Sequence, residues 1–353
     1  MIIGERLRVA RRTAGLSQRG LAEAAGVSAM AISKYERGLD VPGSAVLLRL
    51  AEALAVKTEY FVRPTTVALT PPSYRRRARL SRKEQNALMG QVQDWLERYL
   101  DVEHFFGGPP SFVLAPSLKR RVASLEEVEE LVLALRDSWH LGLNAIESMV
   151  EVLEDQGIKV GMVDAGEDFD ALTLWANGGM PVIVVKRGLP GDRQRFNLAH
   201  ELGHLVLETG DGLDGEKAAH RVAGAFLVPE PVARFELGDQ RHNLDLYELH
   251  LLKHKYGLSM QAWIHRAEDL GIISKSAASR LFHLFRVRDW HRQEPGDPIP
   301  PEEPGRMKRL VVRALVEDVI SQSRAAELLG MPLAEFWQAE AKQHDGFPVA
   351  VRG

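Results

Sequence analysis

Apolar residues recur every three or four positions through the first sixty residues, and glycines at 15, 26 and 38 interrupt the pattern. Leu7, Ala10 and Ala14 share one helical face that stops at Gly15. Ser17 stands where a cap is needed before QRGLAEAAG, and Gly26 closes that segment. Ser28 opens AMAISKYERG, which runs to Gly38; Pro42 starts the next segment, and AVLLRLAEALAV carries a further apolar face. The spacing predicts five short helices over residues 1–62. Two of them are split by a turn of about four residues containing Gly26, the signature of a helix-turn-helix whose second helix can enter a major groove.

The pattern then changes. Residues 64–83, rich in Pro, Thr and Arg, read as a linker whose Arg75, Arg76, Arg77 and Arg79 form a basic cluster. A long amphipathic helix is expected from Glu84 to about Glu103, with Leu88, Val92, Trp95, Leu96, Tyr99 and Leu100 on one side. Ser124 with Glu127, and Asn144 with Glu147, have the spacing of capping boxes before two more helices. IKVGMV, ALTLW and PVIVV read as strands, with Asn177-Gly178-Gly179 turning between the last two. A helix is expected from about Arg193 to Glu208 and another from about Gly215 to Leu227, ended by Val228-Pro229. RQEPGDPIPPEEPGR reads as a Pro-rich hinge. Beyond it SQSRAAELLGM, from Ser321, repeats SQRGLAEAAGV, from Ser17, with Ser, Gln, Ala, Glu and Gly in register, and Pro332 stands where the next helix should begin. The fold class is therefore mainly α with a small α+β domain. Its expected parts are a five-helix domain (1–63), the linker (64–83), a compact α+β domain with a leading helix (84–290), the hinge (291–304) and a C-terminal helical, helix-turn-helix-like segment (305–353).

Charge sharpens this division. Residues 1–80 hold 14 Lys/Arg against 6 Asp/Glu, whereas the rest holds 31 against 42, so only the N-terminal part is suited to a polyanion. There are no cysteines, which excludes disulfides and thiolate metal sites and leaves His, Asp and Glu as metal ligands. No signal-peptide core opens the chain and no run of eighteen apolar residues occurs, so a cytoplasmic protein without a membrane span is expected.

The chemistry is concentrated in RFNLAHELGHLVLE, Arg195 to Glu208, where His200, Glu201 and His204 form a His-Glu-x-x-His pattern. Histidines four apart on a helix lie on one face and can both reach one Zn²⁺ at about 2.0–2.1 Å. Glu201, beside the first of them, is placed to take a proton from a water whose pKa zinc lowers to about 7. A zinc site needs a third protein ligand. Asp211, Asp214, Glu216 and His220 all lie where an antiparallel second helix would return, and residue chemistry does not choose among them.

Two resemblances add to this reading. LSQRGLAEAAGVS and ISKYERG, within residues 4–61, resemble the XRE-type family of phage-repressor-like DNA-binding domains. The resemblance implies phosphate contacts from Gln18 and Ser28 and base-facing positions at Ala29, Met30 and Lys34, with Ser33 on the same exposed side. RFNLAHELGHLVLE followed by EKAAHRVAGAFLVPE resembles the ImmA/IrrE family of zinc metallopeptidases, a zincin-like fold. It implies Zn²⁺ held by His200, His204 and Glu216, with Glu201 as the general base. Ala218 stands where that family often has a second acidic residue, and His220 where it often has Asn, which keeps His220 as a rival ligand.

Together these features imply a DNA-binding transcriptional regulator that carries a substrate-specific zinc metallopeptidase domain. Its partners would be a double-stranded operator, a second copy of the chain, and a protein substrate such as a repressor or toxin. Stress, mobile-element or toxin–antitoxin control is the implied setting. The competing reading is a non-catalytic repressor or antitoxin that uses the zincin-like domain as a sensor or partner-binding body.

Overall fold

The structure, a computed structural model, describes residues 2–63, 65–70 and 80–344. The linker arginines at 75, 76, 77 and 79 lie outside the described residues. Four helices open the chain: α1 (Ile2–Thr13), α2 (Gln18–Ala25), α3 (Ala29–Glu36) and α4 (Ser44–Ala53). A 3₁₀ turn, Thr58–Val62, stands where a fifth helix was expected; it buries Tyr60 and Phe61. Ser17 and Ser28 cap α2 and α3 by accepting from the Gly20 and Ala31 N–H groups, and Gly26 closes α2 in the left-handed conformation (φ 64°). Leu7, Leu21, Ile32, Leu50 and Phe61 form the centre of this small core.

The next helix, α5 (Arg82–His104), begins with a complete capping box between Ser81 and Glu84. It crosses α1 so closely that a Cβ at Gly90 would lie 1.7 Å from Thr13 Oγ1. A fully buried ion pair, Arg6 Nη1 to Glu97 Oε2 at 2.5 Å, ties the same two helices.

Residues Ser111–Glu303 form a separate compact unit. Its helices are α6 (Leu125–Ser138), α7 (Met149–Asp155), α8 (Gly191–Val206), α9 (Gly215–Leu227), α10 (Glu230–Leu237), α11 (Leu246–Tyr256), α12 (Met260–Asp269) and α13 (Lys275–Val287). Ser124 caps α6 as expected, although the Glu127 carboxylate accepts from the Ala123 N–H instead of closing the box. The box expected at Asn144 and Glu147 does not form; Ser148 caps α7. The reason lies in two buried arginines. Arg136 donates to the Gly142 and Asn144 carbonyls, and Arg195 to those of Ile146 and Glu147, contacts that hold this segment out of a helical turn.

The strands Ala171–Ala176 and Met180–Lys186 form the expected antiparallel hairpin, with Asn177 and Gly178 at φ 49° and 80° in its turn. Lys159–Val163 pairs with Met180–Lys186 in parallel. The motif helix α8 stops at Val206, two residues before its expected end, because Leu207 turns extended. Glu208–Thr209 then pairs in parallel with Arg121–Val122, a contact that the hydrophobic pattern does not announce.

Residues 291–303, read from sequence as a hinge, are pinned in place. Glu294 accepts from the N–H groups of Met260 and Gln261 at the start of α12 and pairs with Lys253 at 2.9 Å. Glu302 accepts from Val150 N–H and Ser148 Oγ at the start of α7, and it pairs with Arg195 on α8. The Gln194 amide exchanges two hydrogen bonds with the Glu302 backbone, and Gly191 N–H donates to the Ile299 carbonyl at 2.8 Å. Carboxylates at helix N-termini satisfy orphan donors and complement the dipole, so acidic residues turn a Pro-rich strip into a clasp on the motif helix.

The chain ends in α14 (Arg306–Val316), α15 (Gln322–Leu329) and α16 (Leu333–His344). The repeat seen in sequence is also structural. Ser321 caps α15 from the Arg324 N–H as Ser17 caps α2 from Gly20, and Gly330 closes α15 at φ 72°. The Gly330 N–H reaches Ala326 and Glu327, the counterparts of Ala22 and Glu23 reached by Gly26. Leu7, Ala10, Leu21, Ala22 and Ile32 are buried, and so are their counterparts Val311, Ala314, Ala325, Ala326 and Phe336. These helices share a core with Tyr99 and Val102 of α5. The leading helix, assigned from sequence to the middle domain, therefore groups with α1–α4 and α14–α16 in one unit. Its apolar face meets those helices.

Candidate functional site

The first candidate surface is α3. Ser28, Met30 and Lys34 are exposed, and Met30 at 69% is no core filler. Ala29 and Ser33 are half-buried, Ala29 packing on the small core. Gln18 is engaged within the fold: its Nε2 donates to Glu36 Oε2 at 2.8 Å, and Glu36 also pairs with Arg11 at 2.5 Å. That knot joins α1, α2 and α3 and fixes the orientation of the exposed side of α3.

The second candidate is a cluster on α8. His200 Nε2 and His204 Nε2 lie 3.0 Å apart. At that separation the two nitrogens can share a proton, one ring donating and the other accepting according to tautomer, or can both face one cation. Glu216, in the first turn of α9, brings Oε2 to 3.3 Å from His200 Nε2 and Oε1 to 3.8 Å from His204 Nε2. Glu201 is also near, within the same 4.8 Å ligand cluster as the two histidines. The two carboxylates differ in setting. Glu201 is only 5% exposed, and its Oε2 accepts from Thr173 Oγ1 at 2.6 Å, whereas Glu216 projects from the accessible side across both imidazoles. Proximity alone ranks Glu201 with the histidines. Glu201 has one oxygen engaged with Thr173, whereas Glu216 spans both imidazoles.

Local sequence explains how Glu216 arrives. Asp214 caps α9, accepting from the Glu216 and Lys217 N–H groups, so the helix starts beside the histidines. Gly203 lets α8 and α9 approach: a Cβ there would sit 3.1 Å from Ala219 Cα and 3.2 Å from Val222 Cβ. His220, one turn beyond Glu216, has its ring 4.6 Å from that of His200 and 5.7 Å from Phe196. Asp211 and Asp214 are engaged elsewhere, with Arg121 and as the α9 cap.

Beneath the cluster, Glu129 of α6 is buried against Arg266 of α12, which donates to both of its oxygens, and against Arg221 of α9 at 3.2 Å. This network locks the helix that carries Glu216. Thr173 escaped the sequence reading because threonine is ordinary in strands and nothing in ALTLW distinguishes a packing threonine from one that holds a carboxylate.

Residues 2–59 match the helix-turn-helix domain family, and residues 153–268 match the IrrE N-terminal-like domain family. The second span contains α8 and α9 entire. The chain is 36% identical over 63 residues to an uncharacterized HTH-type transcriptional regulator of Sinorhizobium fredii, y4wC, covering 18% of this chain and 44% of that protein. It is 39% identical over 59 residues to a second, y4aM, covering 17% and 41%. The chain thus aligns with less than half the length of the curated relatives it matches. Its N-terminal helices are a helix-turn-helix domain, and its other compact unit contains an IrrE-like domain. Among the described residues no helix is long and apolar enough to cross a membrane.

Proposed function

We propose that this chain is a transcriptional regulator that binds a double-stranded operator through residues 1–63 and carries a zinc-dependent, substrate-specific peptidase site. The observation that supports the peptidase reading best is the convergence of His200, His204 and Glu216 beside a buried, hydrogen-bonded Glu201. Two imidazoles and a carboxylate form a donor set that suits Zn²⁺, and here their nitrogens and oxygens lie within 3.0–3.8 Å of one another. His200, His204 and Glu216 would hold the ion, which supplies Lewis-acid polarisation of the scissile carbonyl.

Glu201 acts as the general base: its carboxylate takes the proton of the attacking water and passes it to the leaving amine. Burial strengthens that role, since a carboxylate screened from bulk water acts in a lower dielectric.

In the operator complex, Ala29, Met30, Ser33 and Lys34 face bases. Ser28 contacts phosphate: its Oγ accepts from Ala31 N–H, so its hydroxyl hydrogen is available to donate at a helix N-terminus that favours anions. Gln18 contacts phosphate from the start of α2. Two copies of the chain read two half-sites about one helical turn apart. The protein substrate is a repressor or toxin encoded in the same regulatory setting, whether stress response, mobile element or toxin–antitoxin pair.

Glu201→Gln tests this reading against a non-catalytic repressor or antitoxin. The variant is expected to keep its metal and its operator, and to lose cleavage of the genomically neighbouring protein. If wild type and variant leave that protein equally intact, in vitro and in cells, the regulator lacks a peptidase function.

A further inference from the structure

We infer that Thr173 is a positioning residue that holds Glu201 in its working orientation, an inference that rests on the peptidase reading above. Thr173 sits in the middle of the strand Ala171–Ala176, opposite Ile183 of the neighbouring strand. It is 9% exposed, and Leu172 and Leu174 on either side are buried. Its Oγ1 lies 2.6 Å from Glu201 Oε2 and 3.2 Å from the Glu201 carbonyl oxygen.

A buried hydroxyl costs free energy unless it is satisfied, and valine would suit this strand and this packing equally well. The threonine hydroxyl is compensated through Glu201 alone among the hydrogen bonds described for its side chain. The bond to the carboxylate is short, as expected for a donor facing an ionised acceptor. It also spans elements of different stiffness. Glu201 leaves α8 on a side chain with three rotatable bonds, whereas Thr173 is β-branched and fixed in a paired strand. The sheet therefore sets where the carboxylate sits. The carboxylate so held lies in one cluster with the His200 and His204 ring nitrogens, within 4.8 Å. Catalytic groups lose efficiency when misplaced by fractions of an ångström, so this second contact has leverage without touching substrate.

A purely structural threonine would support only the fold, through packing and the Glu201 carbonyl. The two roles are separated in the full-length protein loaded with Co²⁺, by titrating acetohydroxamate against the cobalt absorption bands. Acetohydroxamate donates a hydrogen bond to a carboxylate beside the metal, so its affinity reports whether Glu201 is in place. Wild type, Thr173→Ser, Thr173→Val and Glu201→Gln are each expected to bind one Co²⁺. Thr173→Ser should retain wild-type acetohydroxamate affinity. Thr173→Val should lose about tenfold, in the same direction as Glu201→Gln, in keeping with the loss of one charge-assisted hydrogen bond. Thr173→Ala supplies the same deletion if the valine variant is unfolded by circular dichroism. Wild-type affinity in the folded hydroxyl-deleted variant overturns the inference. Failure of wild type to take up more Co²⁺ than His204→Ala overturns the metal reading itself, and metal content alone tells the two failures apart.

Discussion

Gly203 on α8 faces Ala219 on α9 so closely that a methyl group at 203 would lie 3.1 Å from the Ala219 Cα. Glu216 stands one helical turn before Ala219, so this contact sets the distance from Glu216 to both histidines.

Gly203→Ala should therefore separate the helices by a few tenths of an ångström. Overpacking costs of about 1–3 kcal/mol are partly offset by a helix-propensity gain of about 1 kcal/mol. The expected outcome is a modest loss of stability with a larger loss of metal affinity, measured by chemical denaturation and by competition with a zinc chelator. Unchanged zinc affinity would show that the close approach serves packing only.

The third ligand is open to direct assay. Glu216→Ala should lower zinc content sharply in dialysed protein, whereas His220→Ala should leave it near one per chain. His220 lies with its ring tilted against that of His200, but Glu216 spans both Nε2 atoms. The reverse pattern in elemental analysis would move the ligand role to His220.

Lys34 is exposed on α3, within reach of base edges when the helix lies in a major groove. Lys34→Ala should reduce discrimination at one operator position by about 1–3 kcal/mol. Binding measured on an operator selected from random duplexes, and on its point variants, provides the check. A uniform loss across all sequences would instead assign Lys34 to phosphate.

Burial holds the His265 imidazole below its ordinary pKa; His220 adds to the depression, and Asp269 and Glu268 oppose it. Because the folded state favours the neutral ring, its contribution to stability is fully present above the unfolded value, near 6.5. That contribution declines as pH falls from there towards the lower folded pKa. Melting temperatures between roughly pH 7.5 and roughly pH 5.5 should fall less steeply in His265→Gln than in wild type. Parallel slopes would show that other groups dominate the acid response.

Local signals were strong enough to be read without the fold. Ser17, Gly26 and Ser28 act within a few residues of themselves, and α2 and α3 begin and end close to where these residues predict. The i,i+4 spacing of His200 and His204 is likewise a property of one helix, and the repeat at Ser321 carries its caps with it. Where local pattern and structure differ, partners outside the segment decide. Asn144 loses its cap role to carbonyl contacts from Arg136 and Arg195, and Glu208 leaves the motif helix to pair with Arg121.

By itself, then, the sequence determined the helix-turn-helix, the histidine pair and the kinds of ligand available, because these depend on spacing, propensity and residue chemistry along one segment. Tertiary structure alone decided that α5 packs with the first and last helices, that Glu294 and Glu302 make a clasp of the Pro-rich strip, and that Thr173 reaches Glu201. Each of those depends on groups far apart in the chain meeting in a buried place. There a donor without an acceptor is costly, and no local pattern records which partner will satisfy it.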